Sequence, residues 1–176
     1  MYVANLHELP KAIDSLSAAE ELLLISYLDA RGADGMSRKY RVMFIDGVMY
    51  PLHLAISPDW KIHYFSSAMA QDPLFREEER RFLEDMPAAL GTTAMRALQK
   101  ICTALDLEYA GIDFAVASDG SILLFEANAT MVVFPPSADA MWDYRRGAID
   151  TVLEAASRML LKRADDGERS SRETPS

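Results

Sequence analysis

The chain has 176 residues, 50% of them hydrophobic and 26% charged, with 18 basic against 27 acidic side chains and a net charge of −9. That suffices for one globular domain with an ordinary core, and its acidity argues against general binding to nucleic acid or anionic lipid, whose phosphates it repels. The single cysteine, Cys102, can form no internal disulfide and reads as a small core residue. No apolar run is long enough to span a bilayer and no charged-then-apolar leader opens the chain, so the expected location is the cytoplasm.

In chain order, Leu6 to Leu16 reads as a short helix with Leu6, Leu9, Ile13 and Leu16 on one stripe. Glu21 to Asp29 reads as an apolar strand, and Arg31 to Gly35 as a loop rich in turn formers. Lys39–Ile45 and Val48–Ala55 are strands joined by the turn Asp46-Gly47, and Trp60–Phe65 is a further strand. A charged helix covers Phe75 to Asp85. A second helix, capped by Thr92 or Thr93, runs to about Leu105 with Met95, Leu98, Ile101, Cys102 and Leu105 buried. Two strands, Tyr109–Val116 and Ile122–Asn128, flank Ser118-Asp119-Gly120-Ser121. After Pro135-Pro136, Ser137 or Asp139 caps a long helix to about Lys162. Residues 1–163 form one domain, and the polar stretch from Ala164 to Ser176 has the composition of an unstructured tail. Hairpins interrupted by helices, without regular strand–helix alternation, predict an α+β fold with an antiparallel sheet.

The last hairpin carries three oxygen side chains. Glu126 and Asn128, two apart on one strand, share a face. If the hairpin pairs roughly symmetrically, Asp113 falls near them. Two carboxylates and an amide oxygen suit Mg²⁺, which prefers oxygen ligands and keeps room for phosphate and water; the alternative is a polar strand face turned to water. Lys39 and Arg41 share a face on an earlier strand, while Arg38 lies on the other. They are candidate anion contacts, or charges that protect a sheet edge. His53 reads as a core residue bonded to a carbonyl, or as a group that positions a substrate carboxylate or a phosphate; His63 reads as solvent-facing. Arg145 and Arg146 either contact an anionic substrate or pair with Asp139, Asp143 or Asp150.

Gly111-Ile112-Asp113-Phe114 followed by Leu124-Phe125-Glu126-Ala127-Asn128 resembles the metal-binding signature of the ATP-grasp superfamily, which includes D-alanine–D-alanine ligase, glutathione synthetase and RimK-like amino-acid ligases. Glu21–Asp29 followed by Arg38–Gly47 resembles that superfamily's purine-holding hinge and the basic strand after it. The resemblance covers roughly Glu20 to Trp142 and corresponds to the C-terminal lobe. It implies ATP and Mg²⁺ as cofactors, with Asp113, Glu126 and Asn128 on the metal. Arg41, with Lys39 second, would act catalytically on the transferred phosphate. The Tyr27–Leu28 main chain would meet adenine and Asp29 the ribose. The implied reaction joins a carboxylate to an amine through an acyl phosphate. The lobe that supplies a lysine and a Gly-rich loop has no counterpart here. The expectation is therefore a lobe completed by another segment or chain, or self-associating through the apolar surface left open. The alternative is a non-catalytic remnant that binds nucleotide, metal or a partner.

Overall fold

A computed structural model describes residues 3–16, 21–62 and 67–172. Its elements are α1 (Leu9–Asp14), β1 (Ser37–Ile45), β2 (Val48–Ser57), α2 (Pro73–Glu84), α3 (Met86–Leu105), β3 (Tyr109–Val116), β4 (Ile122–Asn128) and α4 (Arg146–Arg172), with 3-10 turns at Ala68–Ala70 and Ala140–Arg145. The four strands form one antiparallel sheet in the order β2-β1-β3-β4. The fold is α+β, as the hairpin pattern predicts.

The β1–β2 hairpin closes through Asp46 (φ 51°) and Gly47 (φ 79°). Two successive positive φ values are what a two-residue turn needs to match the twist of its strands. One face of the sheet is covered by α2 and α3. Tyr40 stacks on Phe114 at 5.5 Å and meets Phe82 edge-on at 5.1 Å, within a core that also holds Phe44, Leu54, Ile56, Leu98 and Ile112. The other face is covered by α4, whose Ile149, Val152, Ala155 and Met159 recur at helical spacing and pack on Met43, Ile45 and Leu52.

Five expectations need correction. Residues 21–29 carry no strand, and Leu23 and Ile25 on them are 86% and 75% exposed; an apolar run makes a strand only where a neighbouring edge accepts its hydrogen bonds. Helix α1 is shorter than the Leu6–Leu16 stripe and buries nothing. Trp60–Ile62 is not strand, and the rest of that expectation, with His63, lies outside the described residues. Helix α3 starts before Thr92, at Met86, because the Asp85 side chain caps it by accepting from Ala88 N–H; it breaks at Gly91 (φ 78°) and resumes along the expected stripe. Beyond Lys162, α4 continues to Arg172, into the stretch whose composition suggests a tail.

Gly111 decides how the chain leaves β4. A Cβ built there would lie 2.6 Å from Met131 Cγ and 2.9 Å from Met43 Sδ. Met131 therefore sits directly on β3 because Gly111 lacks a side chain. The Tyr109 hydroxyl donates to the Met131 carbonyl at 2.6 Å and holds it there. Residues 132–137 are thereby laid across the α4 side of the sheet. Gly111→Ala is expected to lower stability by about 1–3 kcal/mol through overpacking, read as a lower urea midpoint at unchanged m-value.

Candidate functional site

Each outer strand of the sheet carries one extra residue, and both sit at the same level. On β2 the pairing runs Ile45↔Val48 to Val42↔Pro51, then skips Leu52 to give Arg41↔His53. On β4 it runs Val116↔Ile122 to Phe114↔Leu124, then skips Phe125 to give Asp113↔Glu126 and Gly111↔Asn128. With Arg41↔Asp113 in the middle, the result is a row across all four strands: His53, Arg41, Asp113, Glu126. Without the β4 bulge, Asp113 would oppose Phe125 and Glu126 would move to the other face. A one-residue slip reverses every side chain, and bulges are the device that re-aims one.

The centre of the row is an ion cluster. Arg41 donates from Nε to Asp113 Oδ1 at 2.5 Å and from its NH2 nitrogen to Oδ2 at 2.8 Å, and Lys39 Nζ lies 2.9 Å from Oδ2. Asp113 is 2% exposed, against 22% for Arg41 and 18% for Lys39. Burial by itself pushes the Asp113 carboxyl up; the hydrogen bonds and charges of Arg41 and Lys39 outweigh it and hold the group below the ordinary carboxylate value. Glu126 and Asn128 form the outer part of the row. Asn128 Nδ2 donates to Glu126 Oε1 at 3.4 Å, and its Oδ1 accepts from Thr130 N–H and Oγ1–H at 2.7 and 2.9 Å.

A carboxylate offers about four lone-pair positions. Arg41 and Lys39 occupy three of those on Asp113, which leaves one directed contact. Asp113, Glu126 and Asn128 thus share a face and supply only oxygen donors, a set compatible with a hard cation that keeps most of its shell for other ligands. Among the described residues no three His, Cys, Asp or Glu side chains gather as a metal cluster.

The segment before β1 follows a different course. Asp29 is bound by Arg31 at 2.5 Å and accepts from the Tyr27 hydroxyl at 3.3 Å, and Tyr27 meets Trp60 edge-on at 6.2 Å. Leu28 is 39% exposed. Arg38 N–H donates to the Ala30 carbonyl at 3.2 Å and Arg31 bridges to Ser37, so Ala30 and Arg31 lie beside the start of β1.

A second polar cluster escaped the sequence reading. Glu79 on α2 is fully buried. It accepts from Leu54 N–H at 3.2 Å and from the Tyr144 hydroxyl, and lies 3.3 Å from Arg145 Nε. Burial pushes its carboxyl up, against the opposing pulls of Arg145, Tyr144 and the Leu54 amide. In sequence Glu79 looks like part of the solvated Glu77-Glu78-Glu79 run; its one signal is that it falls three residues before Phe82, on the buried face of the helix. His53 is also buried, and its proton affinity is lowered well below the ordinary value, first by burial and then by the Arg41 and Arg145 charges.

Because the folded Asp113 titrates below its ordinary value of 3.8, its ion pairs contribute stability that is complete above that pH and is lost as pH falls through the lower folded value. Asp113→Asn is therefore expected to destabilise the protein at pH 7 by about 3 kcal/mol, since it leaves two half-buried cations uncompensated. The gap to wild type should shrink on acidification below about pH 4 in urea titrations taken at a series of pH values.

Comparison with protein-family models, with curated proteins and with solved structures found no match.

Proposed function

We propose that the row holds the phosphate end of ATP together with a divalent cation, in a domain of the ATP-grasp kind that activates a carboxylate for attack by an amine. The observation that carries this reading is the placement of Asp113, Glu126 and Asn128 on one face of β3 and β4 with Arg41 in the same row and Lys39 beside it. An oxygen-only donor set next to two cations is the arrangement that phosphoryl transfer uses, because catalysis there consists of positioning and charge stabilisation.

Glu126, Asn128 and the remaining lone pair of Asp113 would hold Mg²⁺. When bound, the ion offsets charge on the phosphate oxygens. Arg41 presents a planar guanidinium and Lys39 a compact ammonium to the transferred phosphoryl group, the first for two-point contact and the second as a point charge. Asp113 keeps both in place before the nucleotide arrives, so little orientational freedom remains to be lost on binding. The Tyr27–Leu28 main chain would take the adenine edge, with Asp29 near the ribose. In the reaction that the resemblance implies, a substrate carboxylate oxygen bonds to the γ-phosphorus as the bond to the β–γ bridging oxygen breaks and ADP leaves. An amine then bonds to the acyl carbon, the acyl–phosphate bond breaks, and the amine gives up a proton.

A second reading, a nucleotide- or metal-binding module without turnover, is favoured by the extent to which Asp113 is already engaged by Arg41 and Lys39. Mg-ATP is expected to raise the melting temperature of the wild-type chain, with a stabilisation of about 2.7 kcal/mol at a ligand concentration of about one hundred times Kd. Glu126→Gln should lose most of that shift, and ATP without a divalent cation should give little. A wild-type chain indifferent to Mg-ATP removes the nucleotide reading, while a shift without phosphate release under any acid and amine pair selects the module.

A further inference from the structure

Next to the row, under residues 132–137, lies a cavity of about 270 Å³. We infer that it is a binding site for a small organic anion, a carboxylate carried on an apolar body. Its described lining includes two arginines, Arg41 and Arg145, and no carboxylate, in a chain whose net charge is −9. The acidic partners stand behind the arginines: Asp113 spans one edge of the Arg41 guanidinium, and Glu79 lies 3.3 Å from Arg145 Nε from within the core. Such acids orient guanidinium groups toward a space without entering it, and a planar guanidinium matches a carboxylate.

The walls are apolar. Phe134, Pro136, Trp142 and Val132 line the cavity. Apolar walls with a few convergent polar groups are the usual make-up of a small-molecule site. Pockets for drug-sized ligands run from roughly 300 to 1,000 Å³, so this one takes a small molecule and not a whole nucleotide. The lowered proton affinity of the buried His53, which also lines it, agrees with a positive field there: after burial itself, the causes are Arg41 and Arg145. Arg41 belongs both to the row and to the cavity, which makes the cavity the place for the carboxylate substrate. That role rests on the nucleotide reading of the row; the preference for an anion does not.

The test is a titration of the full chain, free of nucleotide and divalent cation, with benzoate and with its neutral isostere benzamide, followed by saturation-transfer NMR. Benzoate should saturate, with benzamide at least about tenfold weaker, since a hydrogen bond to a charged group contributes about 1.5–3 kcal/mol. Arg145→Gln should weaken benzoate by about tenfold, and Arg145→Lys, which keeps the charge, by less. Phe134 is 65% exposed, so Phe134→Glu places a negative charge at the cavity wall without disturbing the buried network; it should weaken benzoate by more than it weakens benzamide. Absence of saturable benzoate binding, equal binding of benzoate and benzamide, or benzoate binding indifferent to both Arg145→Gln and Phe134→Glu would overturn the assignment. Benzoate selectivity in a chain that ignores Mg-ATP would uphold the cavity and remove only the nucleotide reading.

Discussion

The carboxylate of Asp113 is buried in the middle of a sheet that is otherwise packed with Met, Ile, Val and Phe, and Arg41 and Lys39 on the neighbouring strand neutralise it there. A charge in such a place is tolerated only when paired and hydrogen-bonded. The pairing in turn requires β1 and β3 to be neighbours in one register, with Arg41 opposite Asp113. A slip by one residue would put two cations and an anion into the hydrophobic layer beneath α2 and α3. The cluster therefore contributes at least as much to the uniqueness of the strand pairing as to its strength.

The two bulges extend this constraint outward. Leu52 and Phe125 are the residues added on the outer strands, at the level where the inner strands carry Arg41 and Asp113. Each bulge turns the following polar side chain, His53 on one side and Glu126 on the other, into line with the ion cluster. The face that results is apolar under α4 and charged beyond it. Gly111 admits Met131 onto β3 between these two zones and brings the chain back across the sheet. The cavity beside Arg41 is a consequence of that return. Its second arginine comes from the end of the 3-10 turn that precedes α4, steadied from the opposite layer by Glu79.

Two buried carboxylates thus serve the same face with opposite responses to pH. Asp113, held below its ordinary value, stabilises the fold above about pH 4. Glu79, pushed above its ordinary value of 4.5, favours the fold most at acidic pH and gives that contribution up as pH rises through its folded value. Each carboxylate lies against an arginine of the cavity wall, so the charge presented to a ligand depends on how far each acid is ionised.

Local sequence by itself determined the hairpins, the presence of the helices though not their ends, and the face shared by Glu126 and Asn128. Asp-Gly turns, period-two alternation and apolar stripes act over a few residues and need no distant partner. It also placed Asp113, Arg41 and Lys39 among the charged residues of the sheet. Only the tertiary structure decided the rest. Which residue is skipped in a bulge depends on which register buries the most apolar surface across three strand pairs, and that balance is not written in any one strand. Glu79 reads as one of three surface glutamates until α2 is docked and Tyr144, Arg145 and Leu54 N–H close around it. The apolar run of residues 21–29 reads as a strand because its side chains suit one. A strand exists only where a neighbouring edge completes its hydrogen bonds, and residues 21–29 pair with neither outer strand of the sheet, β2 or β4.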